Sequence, residues 1–288
     1  MPTPPKISLL LATLGRTEQL RLFFEKACLQ SFTNFEIVVV DQNPDGRLDD
    51  ILTEYSNRLR IVHLRCAPGL SRARNHGLKA CRGAIIAFPD DDCWYPSDLL
   101  ARVVRFLDSE YDGVTGRQLD MQGQDAGPRY DRDDGPVTLY NVWARAISSS
   151  IFLKRYIIDR VGEFDETLGV GAGTVFGAGE ETDYLIRVMK HGFRLYYVTD
   201  LFVRHPPSDP SINPKMLART YSYGAGMGRV LSKHHYPLWF KARSLTRPLA
   251  GAALSLARLN VQRARLHWSR CLGRGYGMLV HSRSRSLS

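Results

Sequence analysis

The sequence predicts an α/β protein: a mostly parallel sheet flanked by helices, followed by a helical, basic C-terminal extension. Two observations carry that expectation. Short β-rich runs alternate with helical patterns from Ile7 to Leu107, the signature of consecutive βαβ units. Acidic residues then vanish: none of the 29 Asp and Glu lies beyond Asp209, whereas fourteen of the 39 Lys and Arg do. That leaves 25 basic against 29 acidic groups up to position 209, a net of −4, so the +10 of the chain belongs to its last segment.

The runs follow in order. Ile7 to Ala12 reads as a strand with a helix over Glu18 to Gln30; Phe35 to Val40 pairs with Leu48 to Asn57, Ile61 to Leu64 with Ser71 to Ala80, and Ala84 to Phe88 with Ser97 to Leu107. In such sheets ligands bind beyond the carboxyl ends of the strands, so Thr13, Asp41 and the triplet Asp90-Asp91-Asp92 are expected along one edge. Residues 118–136, rich in Gly, Asp and Pro, read as a mobile excursion. Order returns at Val137 to Tyr140 and continues through a helix near Leu153 to Val161. The glycine-dense stretch Gly169 to Gly179 opens a helix near Glu180, and an anion cradle, a flexible cover and a plain loop all stay open. Gly224-Ala225-Gly226-Met227-Gly228 lacks a preceding strand and is a weak phosphate signal. From about Asn213 the chain reads as helical, interrupted at Pro237 and Pro248.

A length of 288 residues accommodates one large α/β domain with an appendage, or two small domains. Five cysteines, at positions 28, 66, 81, 93 and 271, show no close pairing or zinc-type spacing and suit a reducing compartment. Met1 to Lys6 lacks the features of a signal peptide, so a cytoplasmic location is expected. No segment reaches the roughly 20 apolar residues that span a bilayer; Pro248 to Ala257, short and flanked by arginines, would lie on a membrane surface if it met one.

The triplet closes the run Ile85-Ile86-Ala87-Phe88. In extended geometry Asp90 and Asp92 would share one side and Asp91 the other. Two carboxylates on one face repel unless a hard divalent ion, bridging to phosphate oxygens, keeps both ionised. A polar turn that ends the strand is the alternative.

Six segments in this order resemble the family 2 glycosyltransferases: Ile7-Ser8-Leu9-Leu10-Leu11-Ala12-Thr13, Phe35-Glu36-Ile37-Val38-Val39-Val40-Asp41, Gly69-Leu70-Ser71-Arg72-Ala73-Arg74-Asn75-His76-Gly77, Phe88-Pro89-Asp90-Asp91-Asp92, Val161-Gly162-Glu163-Phe164-Asp165 and Gly179-Glu180-Glu181-Thr182-Asp183-Tyr184-Leu185-Ile186-Arg187. The resemblance covers residues 6 to about 205. It implies the GT-A fold and a hexosyltransferase-type enzyme, which moves a sugar with inversion from a nucleotide diphosphate sugar donor to a hydroxyl of a glycan or lipid-linked glycan acceptor. The implied setting is cell-surface or exopolysaccharide synthesis.

Carried over residue by residue, the resemblance places Thr13 and Asp41 at the nucleotide and Asp90 on the ribose side. Asp91 stands among these donor residues as the member that serves structure. Arg74 approaches the nucleotide or its phosphates, a helix-surface arginine being the alternative, and Asn75 and Gly77 support the turn and close packing. Asp92 ligates a manganese or magnesium ion (Mn2+ or Mg2+), with His205 as a further ligand. Glu181 stands where most members carry Asp and is the expected base, with Asp183 in reserve. A helix N-terminus favours acids for dipole reasons alone, but three in four positions exceed what capping requires. Gln42-Asn43-Pro44 departs from the family after Asp41 and leaves the nucleotide base open.

The expected organisation is a catalytic domain over 1–209, with a nucleotide-binding half to about 117 and an acceptor half over 118–209, then an extension over 210–288. One rival is a sugar-nucleotide nucleotidyltransferase, which should carry a glycine-rich basic loop after its first strand; Thr13-Leu14-Gly15-Arg16 is a poor match. The other is a non-catalytic binding scaffold, motivated by the Glu at 181.

Over residues 245–272, Leu245, Leu249, Ala252, Leu256, Leu259 and Leu266 would share one helical face with Arg258 and Arg265 opposite, while Arg263 and Arg270 intrude on the apolar side. Two readings stay open. The helix packs on the preceding domain and snorkels its arginines, or it makes peripheral contact with an anionic membrane at the inner face of the cell membrane, where each basic residue adds about 1 kcal/mol. Nucleic acid is not expected, because interleaved Leu and Ala do not suit a purely electrostatic arm.

Overall fold

The apolar runs of the N-terminal half are adjacent strands of one sheet. The computed structural model describes residues 3–127, 129–206 and 211–280. In chain order the elements are β1 (Ile7–Thr13), α1 (Glu18–Ala27), β2 (Phe35–Asp41), α2 (Asp49–Tyr55), β3 (Ile61–Arg65), α3 (Leu70–Leu78), β4 (Ile85–Ala87), α4 (Leu99–Leu107), β5 (Gly113–Leu119), β6 (Gly135–Pro136), α5 (Val142–Arg145), β7 (Phe152–Lys154), α6 (Arg155–Val161), α7 (Glu180–Lys190) and β8 (Leu195–Arg204). Three helices follow: α8 (Pro214–Lys233), α9 (Leu238–Ala257) and α10 (Val261–Leu279). The described residues of Met1–Phe164 and Tyr184–Ser208 form one compact unit; those of Asp165–Asp183 and Asp209–Ser288 form another.

The first unit holds the sheet, in the order β3-β2-β1-β4-β7-β5-β8-β6. β1 runs parallel to β2 and β4, and β2 to β3, with Thr13 opposite Asp41 and Asp41 opposite Arg65. Polar residues that end three separate strands are thereby set side by side. β2 is buried throughout, as a strand covered on both faces should be. The core beneath it includes Leu20, Phe23 and Phe24 of α1 and Leu99, Leu100 and Val103 of α4. Each such side chain contributes about 1.5–3 kcal/mol by leaving water. α3 lies close against the sheet because of Gly77: a Cβ there would collide with Leu10 and come within 2.7 Å of Val40. Asn75 clamps the turn as expected, exchanging hydrogen bonds with the backbone of Phe164 (2.7 and 3.0 Å).

Two local expectations change. The helix near Leu153 to Val161 is a short strand, β7, running antiparallel to β4 and β5, and then α6. The excursion after Gln118 is tied down where it is described: Leu119 bridges Asp125, Arg145 pairs with Asp131 (2.6 Å), and Asp134 accepts from Thr199 N–H (2.8 Å).

In the second unit, Asn213 and Asn260 cap α8 and α10 by accepting from Met216 and Arg263 N–H. The expected single face over 245–272 is broken, because Leu259 takes a left-handed conformation (φ 56°) and Asn260 starts a new helix. Pro248 causes no interruption. A proline inside a helix strands the carbonyl four residues earlier, and here Arg274 Nη1 donates to that carbonyl, Ser244 O, at 2.5 Å.

The glycines of 224–228 lie inside α8, and their use is packing. A Cβ on Gly224 would reach the backbone of Arg270, one on Gly228 that of Arg274, one on Gly273 that of Tyr221 and one on Gly277 that of Ala225. Two helices that present glycine four residues apart approach backbone to backbone, as in the small-residue contacts of membrane helices. Successive contacts climb together along both helices, so α8 and α10 are parallel, with α9 returning between them in sequence. α9 is inverted in its pattern. It buries Ser244, Pro248, Ala252 and Ser255 while Leu238, Trp239, Leu249, Leu254 and Leu256 are exposed. Val261, Trp268, Leu272 and Leu279 of α10 are exposed as well. Among the described residues no helix is long and apolar enough to cross a membrane.

Candidate active site

The carboxyl edge of the parallel strands gathers Thr13, Asp41 and the acidic triplet in the first unit. β4 stops at Ala87, and Asp90 makes an isolated bridge to Ala12 before the chain turns, with Cys93 N–H donating to Asp90 O (3.2 Å). The expected alternation is therefore lost. Asp91 and Asp92, not Asp90 and Asp92, share a cation: Arg16 Nη1 bonds Asp91 Oδ1 and lies 2.7 Å from Asp92 Oδ2. Asp90 faces Arg74 at 3.8 Å instead. Burial pushes the Asp91 carboxyl up, and Arg16 opposes that shift.

His205 reaches the same place from the end of β8. Trp94 and Arg204 exchange backbone hydrogen bonds (3.0 and 2.9 Å), and His205 N–H donates to Leu119 O (3.0 Å), which sets the imidazole beside the turn. His205 Nδ1 donates to Pro206 O (2.5 Å), since a carbonyl only accepts. Its Nε2 lies 3.8 Å from Asp92 Oδ2. Asp92, Cys93 and His205 offer ligand atoms within 4.8 Å of one another. Burial drives the Cys93 thiol well above its ordinary pKa, so it stays protonated and is a poor ligand for a hard ion. A carboxylate and an imidazole whose tautomer is fixed by a backbone carbonyl fit a divalent ion completed by phosphate oxygens.

The side expected to meet the nucleotide is heavily bonded. Asp41 is fully buried; its Oδ1 accepts from Asn43 N–H (2.8 Å) and Asn43 Nδ2 (2.7 Å), and its Oδ2 lies 3.2 Å from His63 Nε2 and 3.9 Å from Arg65. Gln42 and Asn43, the residues that depart from the family, link neighbouring loops. Gly69 N–H donates to Gln42 Oε1 and Gly15 N–H to Asn43 Oδ1, each at 2.7 Å. Thr13 Oγ1 is buried beside Asp91 without a well-formed hydrogen bond among the described residues. Arg74 is buried as well, bonded to Ser148 Oγ, with its guanidinium 5.8 and 5.3 Å from the rings of Phe88 and Phe164. Sequence reasoning assigned no role to Arg16 or His63. The signal for Arg16 was its position, the first cation after β1.

In the second unit, Glu180, Glu181 and Asp183 stand in the first turn of α7, which suits the helix dipole and disfavours an anion there. Asp183 is fully buried against Lys233 Nζ (2.7 Å) and His234 Nε2 (2.8 Å), and Lys233 also bonds Asp165 (2.6 Å). Burial would raise the Asp165 carboxyl, but hydrogen bonds from Lys233 and Thr167 outweigh it and hold it below the usual carboxylate range. Glu181 is half-buried. The glycine-rich loop folds onto α8 through Ser222, whose Oγ donates to Val175 O (2.9 Å).

EpsH of Bacillus subtilis is 32% identical over 132 residues, 45% of this chain and 38% of EpsH, so the match spans well under half of that relative. Glycosyltransferase AglE of Haloferax volcanii is 23% identical over 71% of this chain and 68% of AglE. Among solved structures, the mannosyltransferase PcManGT from Pyrobaculum calidifontis in complex with GDP-Man and Mn2+ superposes with a TM-score of 0.66 at 16% identity, over 96% of this chain and 88% of that one. S. aureus TarS 1-349 in complex with UDP-GlcNAc gives 0.61 at 16% identity, over 93% and 92%. These likenesses show the GT-A fold. The family model described as Glycosyl transferase family 2 matches residues 8–160, more than half of the chain, and this protein belongs to that family.

Proposed function

We propose that this glycosyltransferase moves a sugar from a nucleotide diphosphate donor to a hydroxyl of a glycan or lipid-linked glycan, in one displacement with inversion. The observation that carries the reading is the Asp92–His205 pair at the sheet edge, with the imidazole oriented by its bond to Pro206 O and Nε2 3.8 Å from Asp92 Oδ2. Asp92 and His205 would hold Mn2+ or Mg2+, and an ion bound there supplies positive charge to the departing diphosphate. Thr13 and Asp41 line the nucleotide side, Asp91 orders the turn, and Asp90, held by Arg74, takes the ribose side. Glu181 takes the acceptor proton as the oxygen bonds to the anomeric carbon and the bond from that carbon to the diphosphate breaks. One base suffices, because a diphosphate leaves without a proton. The division of labour is a nucleotide half to about residue 117 and an acceptor half over 118–209. Support comes from relatives: PcManGT was solved with GDP-Man and Mn2+ and TarS with UDP-GlcNAc, and WfaP of Escherichia coli, 25% identical over 105 residues, is named a glucosyltransferase acting on a diphosphoundecaprenol-linked sugar. Purified protein mixed with a panel of nucleotide sugars should bind at least one donor in an Mn2+-dependent way and hydrolyse it slowly; no binding across the panel, with or without metal, sinks the reading.

The reading extends to peripheral contact of the second unit with anionic membrane at the inner face of the cell membrane, where a lipid-linked acceptor would lie. Support comes from α9, which buries small residues and exposes Leu and Trp beside exposed Arg243, Arg247 and Arg258. Changing both Leu254 and Leu256 to Asp should cut co-sedimentation with phosphatidylglycerol vesicles at least about fivefold, since it removes apolar burial and adds like charge to the lipid. Unchanged sedimentation would leave the contact without a basis.

A further inference from the structure

We infer that Arg16 is a positioning residue that couples entry of the metal to entry of the donor's diphosphate, an inference that rests on the metal role proposed for Asp92. The argument starts from one oxygen. Asp92 Oδ2 lies 2.7 Å from Arg16 Nη1 and 3.8 Å from His205 Nε2, so the guanidinium and an ion shared with His205 would address the same atom. Two cations on one carboxylate oxygen repel strongly at such range. A metal therefore binds Asp92 fully only when Arg16 has moved off it.

Arg16 is built to move. Its backbone sits in a short loop after β1, pinned where Gly15, at φ +75°, donates its N–H to Asn43 Oδ1 at 2.7 Å. The side chain beyond that anchor is 41% exposed and holds Asp91 and Asp92 through Nη1 alone; its other nitrogens take no acceptor among the described residues. A guanidinium fork with two free edges is matched to a phosphate, which it grips bidentately and more tightly than a shared carboxylate oxygen. A diphosphate arriving at the carboxyl ends of the strands offers that acceptor. Arg16 then transfers from Asp91 and Asp92 to the diphosphate and vacates Oδ2 for the ion. Linkage makes the effect reciprocal: the diphosphate tightens metal binding by the same factor as the metal tightens diphosphate binding.

The test is Mn2+ binding followed by the loss of its free-ion paramagnetic resonance signal, alone and with UDP or GDP, for wild type, Arg16→Gln, Arg16→Lys and Asp92→Asn. Wild type should bind Mn2+ alone weakly and at least ~10-fold more tightly with its diphosphate, a coupling in the usual range. Arg16→Gln should bind Mn2+ alone about tenfold more tightly than wild type and keep less than about threefold enhancement, because the competitor is gone. Arg16→Lys keeps the competing charge but not the fork, so its affinity for Mn2+ alone should match wild type while the enhancement falls. A merely structural role predicts weaker Mn2+ binding in both Arg16 variants, and either that result or unreduced enhancement overturns the inference. Asp92→Asn must lose Mn2+ binding in every condition; if it does not, the metal reading fails first and the coupling with it.

Discussion

Glu181→Gln is expected to slow sugar transfer at least ~10³-fold while the donor dissociation constant stays within about twofold, the split that marks loss of a general base. The substitution keeps size and hydrogen bonding but removes the group that accepts a proton. The charge lost from the first turn of α7 carries a helix-dipole interaction of about 0.3–1 kcal/mol. Asp183→Asn provides the contrast. Asp183 is fully buried beside Lys233 and His234, so its neutralisation leaves the Lys233 ammonium and the His234 imidazole facing an amide. That should cost about 3–5 kcal/mol, and any lost activity should track unfolding. Steady-state kinetics, donor titration and urea denaturation on the two variants separate the roles. If Glu181→Gln weakens donor binding tenfold, or if Asp183→Asn loses activity at unchanged stability, the base has been assigned to the wrong residue.

Gly277→Leu is expected to destabilise the helices of the second unit by about 3 kcal/mol, at the upper end of overpacking costs. A Cβ at this position collides with Ala225 O and comes within 2.8 Å of Arg229 N, both backbone atoms of α8 that cannot rotate aside. Gly275, two residues earlier on the same helix, has nothing within 4 Å of an added Cβ. Gly275→Ala should therefore stabilise by up to ~1 kcal/mol through helix propensity alone. The opposite signs, read by far-ultraviolet circular dichroism during denaturation, are the informative result. Two changes of the same sign would mean that the contact between α8 and α10 does not set the stability of this unit.

The parts of the fold legible in the sequence were those written in local pattern. β1, β2 and β3 are apolar runs, and parallel pairing alone brings Thr13, Asp41 and Arg65 into one row. β5 was not legible, because Gly113-Val114-Thr115-Gly116-Arg117-Gln118-Leu119 has neither alternation nor β-branched density; its burial is imposed by β7 and β8. The triplet lies at the sheet edge where the strand pattern placed it but is oriented differently, since β4 ends before it and a turn replaces the expected alternation. Distance along the chain hid the rest. Nothing near Pro248 shows that Arg274 will satisfy the carbonyl it strands, and nothing near Gly224 shows that Gly273 will meet it.

The glycine-rich loop and the helices that secure it are far apart in order of synthesis. Asp183 leaves the ribosome 50 residues before Lys233 and 51 before His234, by their positions in the chain. At about 5–20 residues per second that is an interval of roughly 3–10 s, during which the strands of the first unit up to β8 can already pair. The nascent chain must carry its acidic turn through that interval until α8 emerges to neutralise it. Translation stalled or terminated before Lys233 would thus release a protein with a finished sheet and an open acidic loop, a natural substrate for proteolysis and a form that cell extracts should contain only briefly.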